Sequence, residues 1–241
     1  MKLDAIRIVL VATTHPGNIG STARAMKTMG FSQLVLVTPK MFPDSKATEL
    51  ASGADDILHN AVVTASLDEA LAGCQLVFAT SARPRDIAMP GMTPNSAANQ
   101  IAKLNDVTQV ALVFGREHAG LTNEELLRCH YHITIPSDET FSSLNLAQAV
   151  QVITYELRCH LLSTVTEPKQ DLTALATADD LAHFYLHLEK ILIAIDFLKP
   201  SNPRKLFQRL RRLFNRIQLE RNEVHILRGI LTHIQNALEK E

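Results

Sequence analysis

The sequence predicts an α/β domain built on a mostly parallel sheet, followed by a small all-α domain. Two observations carry this. Up to residue 163, apolar runs of strand length alternate with stretches of helical period, the pattern of a sheet wrapped by helices. From residue 179 onward the apolar residues fall at spacings of three and four, which only helices require. The division that follows is 1–163 for the sheet domain, 164–178 for a linker and 179–241 for the helical domain.

In chain order, the apolar runs predict strands near 5–12, 33–38, 61–64, 75–80, 110–115 and 131–135. Between and after them, helices are predicted near 20–29, 46–52, 67–73, 94–104, 123–129 and 144–163. Several helix starts are marked by side chains that cap free N–H groups: Ser66 with Glu69, Thr122 with Glu125, and Thr93 followed by Pro94 at the first helical position. Gly30 and Gly53 stand where helices stop. The stretch after Ser163 is polar, contains Pro168 and has no apolar period, so it reads as a linker. Three helices follow. The first places Leu181, Phe184, Leu188, Leu192 and Ile195 on one stripe, and the last does the same with Val224, Leu227, Leu231, Ile234 and Leu238. The middle one sets Leu206, Leu210, Leu213 and Ile217 beside a second stripe of Lys205, Arg209, Arg212 and Arg216.

Composition narrows the function classes. Of 241 residues, 46% are hydrophobic and the net charge is −1, so the average predicts a globular chain and no nucleic-acid partner. The average conceals an asymmetry, because Lys199 to Arg221 holds eight basic residues against the single acid Glu220, a local charge of +7. A basic helical face can be plain solvated surface or a phosphate-binding one; the scarcity of acids in it favours phosphate. The first apolar run, about seven residues, is too short to span a membrane, and no membrane partner is expected. Three scattered cysteines, Cys74, Cys129 and Cys159, fit a reducing cytoplasm better than a disulfide framework. Cys129, His130 and His132 lie close together, but no second cluster completes a tetrahedral metal site, so no metal is expected.

Three segments carry the chemistry. Gly115, Arg116, Glu117 and Gly120 follow one predicted strand; Ser142, Ser143, Leu144, Asn145 and Leu146 follow another. In an open α/β sheet, ligands collect outside the carboxyl ends of the strands, where both loops fall. Each polar cluster is also compatible with simple helix capping. The third segment, His15 to Arg24, is a glycine-bearing turn opening a helix, where free N–H groups favour an anion. It lacks the Gly-Lys-Ser/Thr of a phosphate-binding P-loop and the three-glycine spacing of a dinucleotide site, and no Gly-x-Ser-x-Gly elbow of a serine hydrolase occurs anywhere.

Together HPGNIGSTARAMKTMGF, LVFGREHAGLTNEEL and FSSLNLAQAVQV resemble the three signature motifs of the SPOUT superfamily of RNA 2′-O-ribose methyltransferases, in its TrmH-like branch. The helical tail, with FYLHLEKIL, KLFQRLRRLFNRI and NEVHILRGIL, resembles the C-terminal extension of those members that methylate cytidine or uridine at nucleotide 32 of the tRNA anticodon loop. The resemblance implies a C-terminal trefoil knot in the sheet, a homodimer, tRNA as partner and S-adenosylmethionine as cofactor. It implies that Thr80, Ser81, Ala82, Arg83, Gly115, Arg116, Glu117, Gly120, Leu121, Ile135, Ser143, Leu144 and Asn145 hold the cofactor. Arg24, Asn18, Glu117, Ser143 and Asn145 are the implied catalytic group, with Arg24, Lys205, Arg209, Arg212 and Arg216 on the RNA. Such a chain transfers a methyl group to a ribose 2′-OH. The alternatives are the same reaction at another tRNA or rRNA position, and a non-catalytic RNA-binding dimer.

Overall fold

A computed structural model describes residues 2–81, 89–162, 175–199 and 204–239. Ala82 and Arg83, and most of the predicted linker, lie outside them. The sheet has seven strands: β1 (Ile6–Val11), β2 (Gln33–Val37), β3 (Val62–Thr64), β4 (Leu76–Thr80), β5 (Gly91–Met92), β6 (Val110–Phe114) and β7 (Tyr131–Ile133). Every neighbouring pair is parallel and the order is β3-β2-β1-β6-β4-β7-β5.

A parallel sheet is covered on both faces, and the strand sequences show why. Ile6, Ile8 and Leu10 of β1 point into one apolar cluster with Leu112, Phe114 and Phe78, whereas Val9 and Val11 point into another with Val113, Val77 and Leu71. The first face is covered by α1 (Pro16–Met29), α2 (Ser45–Ala51), α3 (Asp55–His59), α5 (Pro94–Ala102) and α7 (Leu146–Leu162). The second carries α4 (Leu67–Leu71) and α6 (Asn123–Leu126). All six predicted strands are present; β5 and α3, too short for a period, had no sequence signal.

Local chemistry sets the ends. Gly30, at φ 83°, ends α1 in the left-handed region, where its N–H reaches the carbonyls of Met26 and Lys27. Thr122 and Glu125 form the predicted reciprocal cap, and Thr93 caps α5 with Pro94 inside. At α4 the prediction is half met: Ser66 accepts from the Glu69 N–H, but the Glu69 carboxylate takes the N–H of Ala65, one residue too early for a reciprocal cap. Helix α1 begins at Pro16 rather than near residue 20, so Gly17 and Gly20 lie within it. Their smallness serves packing: a Cβ on Gly20 would stand 2.0 Å from the Ala47 carbonyl oxygen of α2.

The tail forms α8 (Ala178–Ala194), α9 (Arg204–Arg216) and α10 (Arg221–Leu238) around Phe184, Tyr185, Leu188, Ile191, Val224 and Leu231. Within α9 the predicted apolar stripe faces largely outward. Leu206, Leu213 and Ile217 are exposed, while Phe207, Leu210 and Phe214 pack inward. Two apolar stripes compete on this helix, and the aromatic one buries more surface. At its root α8 is fastened to the sheet domain, because the Ala178 N–H donates to the Cys74 carbonyl at 3.0 Å and Gly73 N–H to the Asp179 carboxylate at 3.1 Å.

Candidate active site

The carboxyl ends of β4, β6 and β7 open into one cleft enclosing about 790 Å³ of free space including its mouth. Its walls come from three loops that follow those strands. Thr80 and Ser81 form one, Gly115 to Gly120 the second, and Ile135 with Ser142, Ser143 and Leu144 the third.

The second wall is a tight turn built from its own residues. Arg116 and Gly120 exchange backbone hydrogen bonds at 3.2 and 2.9 Å, and Gly120 sits at φ 66°. A side chain on Gly115 would run into this turn, since a Cβ there would lie 2.2 Å from the Gly120 carbonyl carbon. Two N–H···O bonds at 2.9 and 3.0 Å join the Arg116 guanidinium to Glu125 of the cap of α6. Burial opposes the charge on Glu125, but the bonds from Arg116 and from Thr122 outweigh it and lower its pKa. Arg116 thus braces the wall. Leu121 is 1% exposed and packs in the core beneath the turn, off the cleft surface.

Glu117 joins this wall to the start of α1. Its carboxylate accepts from the Thr14 N–H and hydroxyl, the His15 N–H and, at 2.9 Å, Asn18 Nδ2. Burial alone would raise its pKa; the donors prevail and hold it at about 2. The anion expected at this helix start is therefore the chain's own carboxylate. On its other side Asn18 Oδ1 accepts from Asn145 Nδ2 at 2.9 Å, and Asn145 Oδ1 caps α7 by accepting from the Ala147 N–H. One chain of side chains, Glu117 to Asn18 to Asn145, thereby ties together the three segments singled out in the sequence. Asn145 thus caps α7 with one end of its amide and holds Asn18 with the other.

Arg24 lies two turns along α1 from Asn18, is exposed, and has no side-chain hydrogen bond or ion pair among the described residues. It does not line the cleft of its own chain. On α9, Arg209 and Arg216 are exposed and Arg212 is half-buried; Lys205 belongs to the helix, its side chain outside the described ones. Thr14 and Ile133 meet the candidate site without having been anticipated. Their only signal is position, since each stands at or just after a strand end.

His130 is buried and its Nδ1 accepts from the Val77 N–H at 3.0 Å, so it serves the sheet. No group of three or more potential metal ligands exists among the described residues, and no described helix is long and apolar enough to cross a membrane.

Comparison with known proteins bears on this geometry. The model of the SpoU rRNA methylase family matches residues 5–155, and that of the TrmJ tRNA methyltransferase C-terminal domain matches 179–241. The chain belongs to the SpoU methylase family, in its TrmJ branch. It is 54% identical to the tRNA (cytidine/uridine/adenosine-2′-O-)-methyltransferase TrmJ of Pseudomonas aeruginosa (strain UCBPP-PA14), over 98% of this chain and 95% of the relative. The crystal structure of TrmJ from Z. mobilis ZM4 matches with a TM-score of 0.85 at 34% identity, covering 95% of this chain and 98% of that one. The SpoU methyltransferase AviRb from Streptomyces viridochromogenes, solved in complex with the cofactor AdoMet, matches at a TM-score of 0.52 and 26% identity over 68% of this chain and 63% of that one. The TrmJ branch is thus shared along nearly the whole chain, and the SpoU fold extends to a relative that holds a methyl donor.

Proposed function

We propose that this chain transfers the methyl group of S-adenosylmethionine to a ribose 2′-OH of tRNA, at nucleotide 32 of the anticodon loop. The observation that carries the reading is the Glu117–Asn18–Asn145 chain, which ties the first signature segment to the two that wall the cleft. The TrmJ relatives support tRNA as substrate, and the AdoMet-bound neighbour supports the cofactor.

The cleft suits that cofactor. Phe114, Ile133, Ile135, Leu144 and Leu146 offer apolar surface for a purine, and the side-chain-free backbone at Gly115 allows close approach. Thr80, Ser81, Gly115, Arg116, Gly120, Ile135, Ser143, Leu144 and Asn145 would hold it, with Ala82 and Arg83 continuing the first wall and Leu121 supporting the second from the core. The cofactor supplies a methyl group activated on a sulfonium. Glu117, already engaged by four donors, fixes Asn18 and the first-motif loop and takes no part in proton transfer. Arg24 is free to meet the RNA. A guanidinium is not a base at neutral pH, so its role is to orient a phosphate or the 2′-oxygen and to stabilise developing negative charge. In a homodimer, Arg24 reaches the cofactor of the other subunit, which accounts for its distance from its own cleft. The strand order, with β6 and β7 inserted on either side of β4 and α7 packed across α1 and α5, supports a knotted C-terminal crossover. Cys74, Cys129 and Cys159 form no disulfide among the described residues, which supports a reducing cytoplasm as the place of work.

The test is to map 2′-O-methylation on tRNA transcripts carrying C, U, A or G at nucleotide 32 after incubation with the purified protein and labelled cofactor. Label at 32 is expected. Label at another position overturns the site, and no label at all overturns the reaction. The A-bearing transcript bears on the adenosine in the name of the Pseudomonas relative.

A further inference from the structure

Helix α9 presents different residues on its two sides. Outward lie Arg209 and Arg216, with Arg212 half-buried between them. Inward lies Asn215, 8% exposed, whose Nδ2 donates to the Leu127 carbonyl across 2.8 Å. Its Oδ1 accepts from the Tyr185 hydroxyl of α8. Leu127 closes the C-terminal end of α6. Among the described residues this is the one side-chain hydrogen bond between α9 and α6.

The seam around that bond is not fully sealed. A narrow crevice lies beside it between Leu126, Leu127, Cys129, His130, Arg212 and Arg216. Nearby, Arg211 stacks over the Tyr185 ring at 4.7 Å, and its Nε is buried without a hydrogen-bond partner. Well-sealed interiors have neither feature. The root of α8, by contrast, is fastened by the two bonds to Gly73 and Cys74. Among the described residues the helical domain is thus hydrogen-bonded to the sheet domain at the root of α8 and, under α9, through Asn215.

What α9 pins leads to the cleft. Helix α6 is four residues long, one turn, so its two ends move together. At its N-terminal end the Thr122–Glu125 cap holds Arg116, and Arg116 braces the cofactor wall. We propose that Asn215 is a positioning residue that couples tRNA docking on α9 to the order of the cofactor loop 115–121. The inference rests on the RNA-methylation reading above. Phosphates held by Arg212 and Arg216 seat α9 on the seam, Asn215 fixes the Leu127 carbonyl, and α6 delivers Glu125 to Arg116. Linkage makes the effect reciprocal: a cofactor that orders the loop seats α9 for RNA by the same factor.

The experiment is calorimetry of S-adenosylmethionine binding to the full chain with and without tRNA, paired with hydrogen exchange across residues 115–127. In the native protein tRNA is expected to raise cofactor affinity by at least about fivefold and to slow exchange in the loop. In Asn215→Leu each ligand alone is expected to bind as in the native protein, while the gain and the added protection vanish. Tyr185→Phe, which leaves the Asn215 donor in place, should keep part of the gain. Independent binding in the native protein, or an undiminished gain in Asn215→Leu, overturns the proposal. So does loss of both affinities in Asn215→Leu with full coupling in Tyr185→Phe, which marks a merely structural anchor. A native protein that binds neither ligand instead overturns the functional reading on which the inference rests.

Discussion

Glu117 is the most heavily engaged side chain of the site, and its charge is part of the fold. Its pKa stands at about 2 against an ordinary 4.5, so the folded state binds fewer protons than the unfolded one between those values. The stabilisation is present above pH 4.5 and is lost as pH falls toward 2. Glu117→Gln keeps the shape but not the charge, and should lower stability at pH 7 by about 1–2 kcal/mol after allowance for solvent screening, measured by urea unfolding. Arg24→Lys keeps the charge but loses the planar fork; it should reduce single-turnover methyl transfer at least about tenfold while leaving cofactor affinity unchanged. Near-native transfer by that variant would remove Arg24 from the reaction. The sequence pointed to both residues, but not to their different states. Glu117 meets Thr14 and Asn18 across about a hundred positions of chain, and nothing in local spacing encodes such a meeting.

Helix α1 shows how an element can be found in the sequence while its start and the use of its glycines are not. Its glycines suggested an anion-binding turn, yet Gly20 serves the crossing of α2 and the N–H groups at the helix start hold Glu117. Gly20→Ala improves helix propensity but forces a methyl against the Ala47 carbonyl, and should cost about 2 kcal/mol in thermal or urea unfolding. Strands and capped helices were legible because their periods and caps are local. The inner face of helix α9 was not, because a sequence with apolar residues on two stripes leaves the choice of that face to its neighbours. The sheet carries a pH dependence of its own. Burial pushes the His130 imidazole down to about 4, so the unfolded chain takes a proton near 6.5 that the folded chain refuses. Stability should therefore decline by about 3 kcal/mol as pH falls from 6.5 to 4, and His130→Gln, which still offers an acceptor to Val77, should flatten that limb of the urea midpoint against pH.

At the scale of the molecule, a weakly acidic sheet domain carries a helical domain whose middle helix is strongly basic. If Arg209 and Arg216 each neutralise one phosphate, the double substitution to alanine should weaken tRNA binding and reduce the slope of log affinity against log salt by about 1.5–2. An unchanged slope would leave the basic face as solvated surface. The place of β6 has a consequence for how the protein comes into being. Strand β1 pairs with β2 at once, but its other edge waits for Val110 to Phe114, a hundred residues later in synthesis. Until then a growing chain displays the bare edge of an almost wholly apolar strand, and Glu117 is not yet available to gather Thr14 and Asn18. Closure of the cleft is thus a late event in the ribosome's timetable, and the nascent first half is the stage at which this chain has most need of a chaperone.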